Sequence, residues 1–574
     1  MTAPTDGGGT PPPIPSHLAA TVGAWIARDP DPATRAELEG LLAAGDEAEL
    51  HARFDHPLGF GTAGLRGELG AGPGRMNRAV VRQTTAGVAA WIAQRGDAAR
   101  EAGLVVGYDA RHGSATFAAD TAAVAAGAGV RTFLLGRPLP TPITAFAVRH
   151  LGAAAGVMIT ASHNPAADNG YKAYAADGAQ VIPPDDRQIA TLAAELGPPA
   201  ETQPPPGARA GVENLDDAAL LTAYTESVTR VLDPDGPRAL RAVYTPLHGV
   251  GGAVLPDLLV AAGFDPPVPV RDQAEPDPDF PTVAFPNPEE PGALDLALAE
   301  ARQVAADLVL ANDPDADRLA VAFADGAGRF RMLTGDELGA LLADYLLSRT
   351  GGGDRLVATT VVSSSLLSSL AAEAGVDYAE TLTGFKWIAR AAASRPGRHL
   401  LIGYEEALGY AVTEAVADKD GLSAALVAAE LAAVEKAAGR TLGDRLDDVA
   451  SRLGVHLTAQ LSLRGRDEGA IARFAAVMVR LRRRPPAELA GLAVTEVVDY
   501  LAGDRGLPPA DMLAWHLGRA ARVVVRPSGT EPKLKAYLEV VTGPPGRSAL
   551  ATARDRAGRM LAELRRAVSE LLAG

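Results

Sequence analysis

Three successive segments of the chain repeat one pattern, in which strand-like and helix-like runs alternate and the last strand leads into a polar loop. These last strands and their loops read GVMITASHNP, ADLVLANDPDADR and HLLIGYEEALGY. Strand–helix–strand units form mostly parallel sheets covered by helices, and their ligands gather at the carboxyl ends of the strands. The pattern therefore predicts three tandem mixed or parallel α/β domains, with all three polar loops at such ends.

The last hundred or so residues follow a different plan. The run ARVVVRPSGTEPKLKAYLEVV predicts strand, turn and strand, and an Arg-rich helix is expected from about Ser548. This order is typical of an antiparallel α+β module. We therefore expect a fourth, C-terminal α+β domain.

Domain boundaries are predicted from length and from breaks in the pattern. A chain of 574 residues is too long for one hydrophobic core, and about 100–200 residues per domain gives three to five domains. Pro- and Gly-rich residues 197–211 and 324–330, and the region 443–453, are candidate connections. The expected domains are residues 1–211, 212–330, 331–450 and 451–574.

The composition excludes several classes of protein. Cysteine is absent, which excludes disulfides, thiolate nucleophiles and Cys-ligated metals. The net charge of −16 argues against general nucleic-acid binding, because such binding needs a basic surface. The first basic residue is Arg28, and no apolar run approaches about 18 residues without a charge. We expect a cytoplasmic monomer or dimer without a nucleic-acid or membrane partner.

Ser162 and His163 stand in the stretch TASHNPAADNGYK, directly after an apolar run that predicts a buried strand. Pro165 prevents a helix from starting on the serine, and it favours extended backbone at Asn164. We therefore expect Ser162 on a loop, with its hydroxyl presented to a reactant rather than packed. His163 alone is more typical of a structural hydrogen-bonding residue than of a catalyst.

The stretch NDPDADR places Asp313, Asp315 and Asp317 directly after an apolar strand. Three carboxylates so close repel one another unless a cation lies among them, and hard oxygen ligands suit Mg²⁺. A solvated acidic turn is the alternative. A calcium-binding EF-hand is excluded, because its sixth and twelfth positions need Gly and Glu where this chain has Arg318 and Ala324.

The stretch RPSGTEPKLK is a candidate phosphate loop. Arg526, Ser528, Thr530 and the backbone N–H groups around Gly529 suit several phosphate oxygens at once. A plain hairpin with a polar tip is the alternative. The chain has no GxxxxGK[ST] motif and no complete GxGxxG motif, so nucleotide binding is not supported.

Two further loops carry charged side chains. GYEEALGY places Glu405 and Glu406 at the third strand end, where carboxylates could accept hydrogen bonds from neighbouring sugar hydroxyls or could simply be solvated. FGTAGLRG places Arg66 among glycines that would let the backbone approach a ligand, although an ordinary Gly-rich turn has the same composition.

The motifs TASHNP with NGYK, DPDADR, TGFKW, GYEEALGY and RPSGTEP occur in this order over nearly the whole chain. The set resembles the α-D-phosphohexomutase superfamily, and most of all its larger phosphoglucomutase/phosphopentomutase branch. The resemblance implies four domains arranged around one central cleft, which supply a phosphoserine loop, a Mg²⁺ loop, a sugar loop and a phosphate loop.

The resemblance also implies catalytic roles. Ser162 would be carried phosphorylated, with His163 and Lys172 beside it, and would join Asp313, Asp315 and Asp317 in binding Mg²⁺. Arg66, Lys172 and Arg318 would offset the charge of the transition state. Lys419 in ADKDG matches a lysine of some members and is a candidate acid/base, with a surface turn as the alternative. The implied substrate-binding residues are Thr383, Gly384, Lys386, Glu405, Glu406, Arg526, Ser528, Gly529, Thr530 and Arg318.

One departure concerns the sugar. Ala407 stands where many members have Ser, two residues after Glu405, so one hydroxyl contact to the sugar is missing. The expected reaction interconverts glucose 1-phosphate and glucose 6-phosphate through glucose 1,6-bisphosphate, which would also act as an activator. Phosphomannomutase or phosphopentomutase activity by the same mechanism is the alternative.

Two other functions are more distant. A metal-dependent sugar phosphatase would have little need for a second phosphate loop. A sugar-phosphate sensor without activity would need neither the serine nor the three aspartates.

Overall fold

The computed structural model describes residues 14–59, 64–197, 211–465, 469–528 and 533–573. The chain divides into two compact units. The first contains Met1–Leu220 and Asp277–Phe285, and the second contains Leu221–Pro276 and Pro286–Gly574. The expected arrangement of four domains around one central cleft stays a prediction.

The first unit begins with three short helices. An aspartate before each of the second and third helices accepts a hydrogen bond from a first-turn N–H, which satisfies a donor that the helix leaves open. Buried Leu and Val side chains from all three helices form a small core with Ala71. The helices are α1 (Ser16–Ile26), α2 (Pro32–Ala44) and α3 (Glu47–Phe54).

The first sheet has the strand order β1-β5-β4-β2-β3-β6. Strands β4, β2, β3 and β6 are parallel, and β5 and β1 are antiparallel additions at one edge. The sheet extends past the predicted boundary at residue 211, because β6 pairs with β3. The strands are β1 (Leu65–Glu68), β2 (Leu104–Tyr108), β3 (Thr132–Leu134), β4 (Ala155–Ile159), β5 (Asp168–Ala175) and β6 (Val212–Asn214). The helices are α4 (Arg78–Ala93), α5 (Asp97–Ala102), α6 (Ser114–Gly127), α7 (Thr141–His150) and α8 (Asp185–Leu196).

The second sheet has the order β11-β10-β9-β7-β8, with a parallel centre and two antiparallel strands at one edge. It extends past the predicted boundary at residue 330, because all of β11 pairs with β10. The strands are β7 (Ala242–Thr245), β8 (Val268–Pro269), β9 (Leu308–Asn312), β10 (Leu319–Ala324) and β11 (Phe330–Met332). The helices are α9 (Asp217–Val228), α10 (Leu255–Ala261) and α11 (Asp295–Gln303).

The third sheet has the order β13-β12-β14-β15, in which β15 alone is antiparallel. Thr334 and Glu337 form a capping box at the start of α12, the long helix that leads into this sheet. The strands are β12 (Arg355–Thr360), β13 (Asp377–Thr381), β14 (His399–Glu405) and β15 (Gly409–Ala411). The helices are α12 (Gly335–Arg349), α13 (Leu366–Ala374), α14 (Phe385–Ile388), α15 (Gly421–Ala437) and α16 (Leu442–Leu453).

The fourth sheet is fully antiparallel, in the order β16-β22-β21-β20-β19, and β17 and β18 form a separate ribbon. Alternate residues of β21 and β22 point into one core with the buried face of α18, so the two expected strands and the expected helix are confirmed. The expected turn, residues 529–532, lies outside the described residues. The strands are β16 (His456–Arg464), β17 (Glu488–Leu489), β18 (Leu492–Ala493), β19 (Glu496–Asp499), β20 (Leu513–Leu517), β21 (Ala521–Pro527) and β22 (Lys533–Val541). The helices are α17 (Ala470–Arg483) and α18 (Leu550–Ala573).

The three polar loops follow β4, β9 and β14, and each of these strands is parallel to a neighbour in its sheet. The predicted position of the loops, at the carboxyl ends of parallel strands, is therefore confirmed. Among the described residues, none of the helices has the length and apolarity needed to span a membrane.

Candidate active site

The serine loop begins directly after β4. Ser162 has a left-handed backbone with a φ of 52°, which is uncommon for a residue other than glycine. Its N–H donates to Thr160 Oγ1 at 2.8 Å, and its Oγ lies 3.1 Å from His163 Nδ1. The residue is fully buried. The expected loop is present, but the expectation of a hydroxyl that is presented rather than packed is wrong, because Ser162 is buried.

Arg111 supports this turn through hydrogen bonds to its backbone carbonyls. Its guanidinium donates to the carbonyls of Ser162 at 2.6 Å and Asn164 at 2.5 Å through Nη2. Through Nη1 it donates to the carbonyls of Pro165 at 2.7 Å and Asp168 at 3.2 Å. Sequence analysis did not single out Arg111, although it lies in LVVGYDARHGS just after β2, the same kind of strand end as the other loops.

Arg66 and Lys172 lie on neighbouring strands of the same sheet edge. Arg66 is on β1, and its Nη1 donates to Asn164 Oδ1 at 3.3 Å. Lys172 is on β5, where it pairs with Met158 of β4, and it is buried. Gly64 has a φ of 86°, and a Cβ there would lie 2.3 Å from the Tyr171 carbonyl oxygen. The structure therefore brings Arg66, Lys172 and the serine loop together in the first unit.

Asp313, Asp315 and Asp317 form a compact cluster in the loop after β9. One carboxylate oxygen from each lies within 4.8 Å of the other two, and all three residues are fully buried. Ala316, between the last two, has a φ of 55°, so the chain turns sharply within the cluster. Buried carboxylates are hard oxygen donors that need an opposing charge, so this donor set fits a divalent cation such as Mg²⁺. The alternative interpretation, a solvated acidic turn, is therefore wrong, because all three aspartates are buried.

Arg318 and Lys419 supply positive charge beside the aspartates. Lys419 Nζ lies 3.2 Å from Asp317 Oδ2, and the guanidinium Nε of Arg318 lies 3.9 Å from Asp317 Oδ1. The Arg318 backbone N–H also donates to Asp313 Oδ1 at 3.1 Å. Burial alone would lower the pKa of both cations, but the carboxylates around them raise both pKa values. Both groups are therefore protonated in this arrangement. Lys419 is buried, so its alternative interpretation as a surface turn is wrong.

The sugar loop lies beside the aspartate loop in the second unit. The Leu319 N–H donates to the Leu408 carbonyl at 3.0 Å, and Arg318 forms a β-bridge with Gly409. Glu405 Oε1 accepts from the Gly384 N–H at 2.8 Å, so the TGFKW segment also meets this loop. Burial and the neighbouring carboxylate of Glu405 raise the pKa of Glu406 to about 7.

Arg526 of the candidate phosphate loop contacts Thr383, the residue before Gly384. Arg526 at the end of β21 donates through Nη1 to Thr383 Oγ1, and the Ser528 N–H donates to the Lys533 carbonyl at 2.8 Å. Lys386 lies buried in α14. Gly529 and Thr530 lie outside the described residues.

A cavity of about 370 Å³ adjoins the sugar loop. Its lining includes the carboxylates of Glu289, Asp336 and Glu406, together with Thr458 and Tyr537. The second unit therefore contains the aspartate cluster, the carboxylates of Glu405 and Glu406, and Arg526, and the cavity adjoins Glu406. The first unit carries the serine with its own basic neighbours.

Comparison with known proteins finds four domain families along the chain. Four family models match, described as phosphoglucomutase/phosphomannomutase α/β/α domains I, II and III and the C-terminal domain; they cover residues 57–198, 222–326, 334–453 and 477–545.

Several curated relatives match nearly full length. "Probable phosphomannomutase" of Haemophilus influenzae is 42% identical, covering 81% of this chain and 93% of the relative. "Probable phosphoribomutase" of Schizosaccharomyces pombe is 37% identical, covering 91% and 93%. "Phosphoglucomutase" of Staphylococcus haemolyticus is 35% identical, covering 85% and 91%. A solved structure, the "putative phosphomannomutase" of Thermus thermophilus, is 26% identical with a TM-score of 0.69, covering 90% and 100%.

The fold and the site motifs together define a phosphosugar mutase, an isomerase that acts on phosphorylated sugars. The chain belongs to the phosphoglucomutase/phosphomannomutase family of the α-D-phosphohexomutase superfamily.

Proposed function

We propose that this mutase interconverts glucose 1-phosphate and glucose 6-phosphate through a phosphorylated Ser162. The observation that carries the proposal is the serine turn: Ser162 is held by Thr160 and Arg111, and its Oγ lies 3.1 Å from His163 Nδ1. A serine fixed in an uncommon backbone conformation beside an imidazole is typical of a group that takes part in chemistry.

The proposed reaction has two phosphoryl transfers. The sugar hydroxyl at carbon 6 of glucose 1-phosphate attacks the phosphoryl group on Ser162, which releases the serine oxygen and forms glucose 1,6-bisphosphate. After the bisphosphate reverses its orientation, Ser162 takes the phosphoryl group from carbon 1 and leaves glucose 6-phosphate. Glucose 1,6-bisphosphate added from outside would rephosphorylate Ser162 and so act as an activator.

The other residues have roles that follow from their charges. Arg66 and Lys172 would offset the charge of the transferring group, and His163 and Lys419 would hold or move protons. Arg318 would contribute positive charge beside the aspartates. Arg526, Ser528, Gly529 and Thr530, with Lys386, would bind the phosphate that is not reacting, which would position the other end of the sugar.

Asp313, Asp315 and Asp317 would hold the Mg²⁺, since their buried oxygens fit a hard cation. The cation would neutralise phosphoryl oxygens during transfer. The further expectation that Ser162 is itself a metal ligand stays a prediction, because the serine belongs to the first unit and the aspartates to the second.

The sugar preference rests on Glu405. Gly384 orients this carboxylate, which could accept hydrogen bonds from the hydroxyls at carbons 3 and 4 that glucose and mannose share. Ala407 offers no hydroxyl to the ring, so we expect some activity on mannose phosphates as well. Thr383 is held by Arg526 and would link the sugar contact to the phosphate contact.

A pentose phosphate is the second candidate substrate. The relatives named phosphoribomutase and phosphopentomutase each match this chain over 91% of its length. The missing hydroxyl at Ala407 also reduces recognition of the hexose ring. Side-by-side kcat/KM values decide between the two: a pentose phosphate preferred more than about tenfold, or about 1.4 kcal/mol, would overturn the glucose assignment but not the mutase mechanism.

The phosphoserine is tested by intact mass and peptide mapping of the purified protein. We expect one phosphate on Ser162, and we expect Ser162→Ala to lose turnover while its thermal midpoint stays close to wild type. Ser569→Ala, an exposed serine on α18, is the matched control and should keep full activity. Turnover near the wild-type level in Ser162→Ala would rule out the mechanism.

A further inference from the structure

Residues 277–285, which we call the brace segment, pack with the first unit although the chain on both sides belongs to the second. Phe280 lies at its centre, with 3% of its surface exposed and a φ of 47°. A bulky aromatic residue disfavours this left-handed conformation, so its tertiary contacts must hold it there. The Val283 N–H donates to the Phe280 carbonyl at 3.1 Å and closes the turn.

Two contacts of the brace segment fall on Arg111 and its neighbour His112. The Arg111 guanidinium carbon lies 4.9 Å from the centroid of the Phe280 ring, which is a cation–π geometry. Asp279 Oδ1 lies 2.7 Å from His112 Nε2. The Arg111 side chain is 1% exposed, so water does not weaken the cation–π contact.

Arg111 is the same residue that donates to four carbonyls of the serine loop. Asp109 holds it from another side, since Asp109 Oδ1 accepts from the Arg111 N–H at 3.0 Å and Oδ2 lies 3.5 Å from Nε. The guanidinium group of Arg111 therefore contacts the Phe280 ring, and its N–H groups donate to the serine loop. A displacement of Phe280 would be transmitted through one rigid planar group to Ser162.

We propose that Phe280 is a positioning residue for phosphoryl transfer, which acts on Ser162 through Arg111, and that Asp279 anchors the brace segment by its contact with His112. The proposal rests on the proposed function of Ser162. Neither residue is assigned a contact with the sugar phosphate, so their loss should slow the transfer step and leave substrate binding almost unchanged. Misplacement of a reacting group by about 1 Å can cost about a hundredfold in rate, so a partial loss of support should be measurable.

The main test is Phe280→Leu, which keeps an apolar side chain but removes the ring. We expect kcat to fall about tenfold with KM within twofold of wild type, and the single-turnover phosphorylation of Ser162 by glucose 1,6-bisphosphate to slow by the same factor. Phe280→Tyr retains the ring and should recover most of kcat. Phe285→Leu, in the same segment but 46% exposed, is the matched control and should behave as wild type.

A lower thermal midpoint in Phe280→Leu with unchanged kcat and phosphorylation rate would show a purely structural role and overturn the proposal.

Asp279→Asn is a second variant. The Asp279 side chain is 74% exposed, so the substitution does not put the folding of the protein at risk. We expect a twofold to threefold lower kcat, against no change in the exposed control Asp272→Asn. If Phe280→Leu does not fold, unchanged kcat in Asp279→Asn overturns the proposal. An inactive wild type would instead overturn the proposed function itself.

Discussion

The three aspartates after β9 show how much local context matters for single residues. Each is fully buried, yet their oxygens lie within 4.8 Å of one another. Burial of an uncompensated carboxylate is costly, and Lys419 and Arg318 supply part of the opposing charge. The divalent cation proposed for this site would supply further opposing charge and so would stabilise the cluster.

The first prediction concerns Asp315→Asn, which removes one ligand charge. Mg²⁺ should raise the thermal midpoint of the wild type, since a ligand at 100 times its Kd stabilises by about 2.7 kcal/mol. The variant should bind Mg²⁺ on the order of tenfold more weakly and show a smaller shift, together with lower activity. Asp265→Asn, an exposed residue, is the control. Equal Mg²⁺ shifts in both variants, with EDTA leaving the rate unchanged, would contradict the metal site.

The second prediction concerns Gly409 in the sugar loop. A Cβ there would lie 2.4 Å from Lys419 Cδ, so an alanine requires the Lys419 side chain to shift, which would disturb its 3.2 Å contact with Asp317. We expect Gly409→Ala to lower kcat/KM at least tenfold. In Gly558→Ala an added Cβ meets nothing within 4 Å, and this control should be fully active. Wild-type kinetics in Gly409→Ala would show that the position of Lys419 is unimportant.

At the scale of elements, β22 is tied to the turn after β12 by one buried glutamate. Glu539 accepts from Ser364 Oγ at 2.8 Å and from the Ser365 N–H at 2.7 Å. Arg522 Nη2 lies 3.0 Å from its other oxygen, and His456 Nδ1 lies 3.1 Å away. Burial alone would raise the pKa of Glu539, but Arg522, His456 and the serines lower it to about 2.

The third prediction follows from this pKa. A carboxyl group with a lowered pKa in the folded state stabilises the protein above its unfolded value of 4.5, and this stability is lost as the pH falls from 4.5 towards 2. The shift corresponds to about 3 kcal/mol at pH 7. Glu539→Gln should therefore lower the free energy of unfolding by about that amount at pH 7, and the difference should shrink by more than half at pH 3.

Urea unfolding of wild type and variant at pH 7, 5 and 3 measures this difference. Glu563→Gln, on the exposed face of α18, should show no difference at any of these pH values. A Glu539→Gln difference that stays constant from pH 7 to pH 3 would show that ionisation of Glu539 does not contribute.

At the scale of the whole molecule, net charge sets how copies of the chain interact. The charge is −16 at pH 7, and the isoelectric point is about 5.2. Repulsion between like-charged copies keeps a protein dispersed, and it disappears near the isoelectric point. The fourth prediction is a solubility minimum near pH 5.2 at low salt, with rising solubility towards pH 7. Precipitation by polyethylene glycol across this range measures it, and constant solubility would contradict it.

Much of the fold could be predicted because its signals are local. The apolar run before Ser162 became β4, and the Arg-rich helix expected from about Ser548 is α18 at Leu550–Ala573. Hydrophobic periodicity reports which face of a segment is buried, and a polar loop after a buried strand marks the strand end. The four candidate loops and their order along the chain follow from that information, and the order resembles one family.

The burial of Ser162 and the support of its loop could not be predicted in this way. Arg111 meets the serine loop across about fifty residues of chain, and Phe280 reaches Arg111 from more than a hundred residues further on. Neither pairing leaves a periodic signal, because it depends on how distant segments pack rather than on their own preferences. The sequence alone determined the alternating strands and helices of the α/β part, the α+β C-terminal part and the polar loops at the strand ends. Tertiary structure alone decided which buried side chains hold the loops in place, since long-range packing exists only in the folded chain.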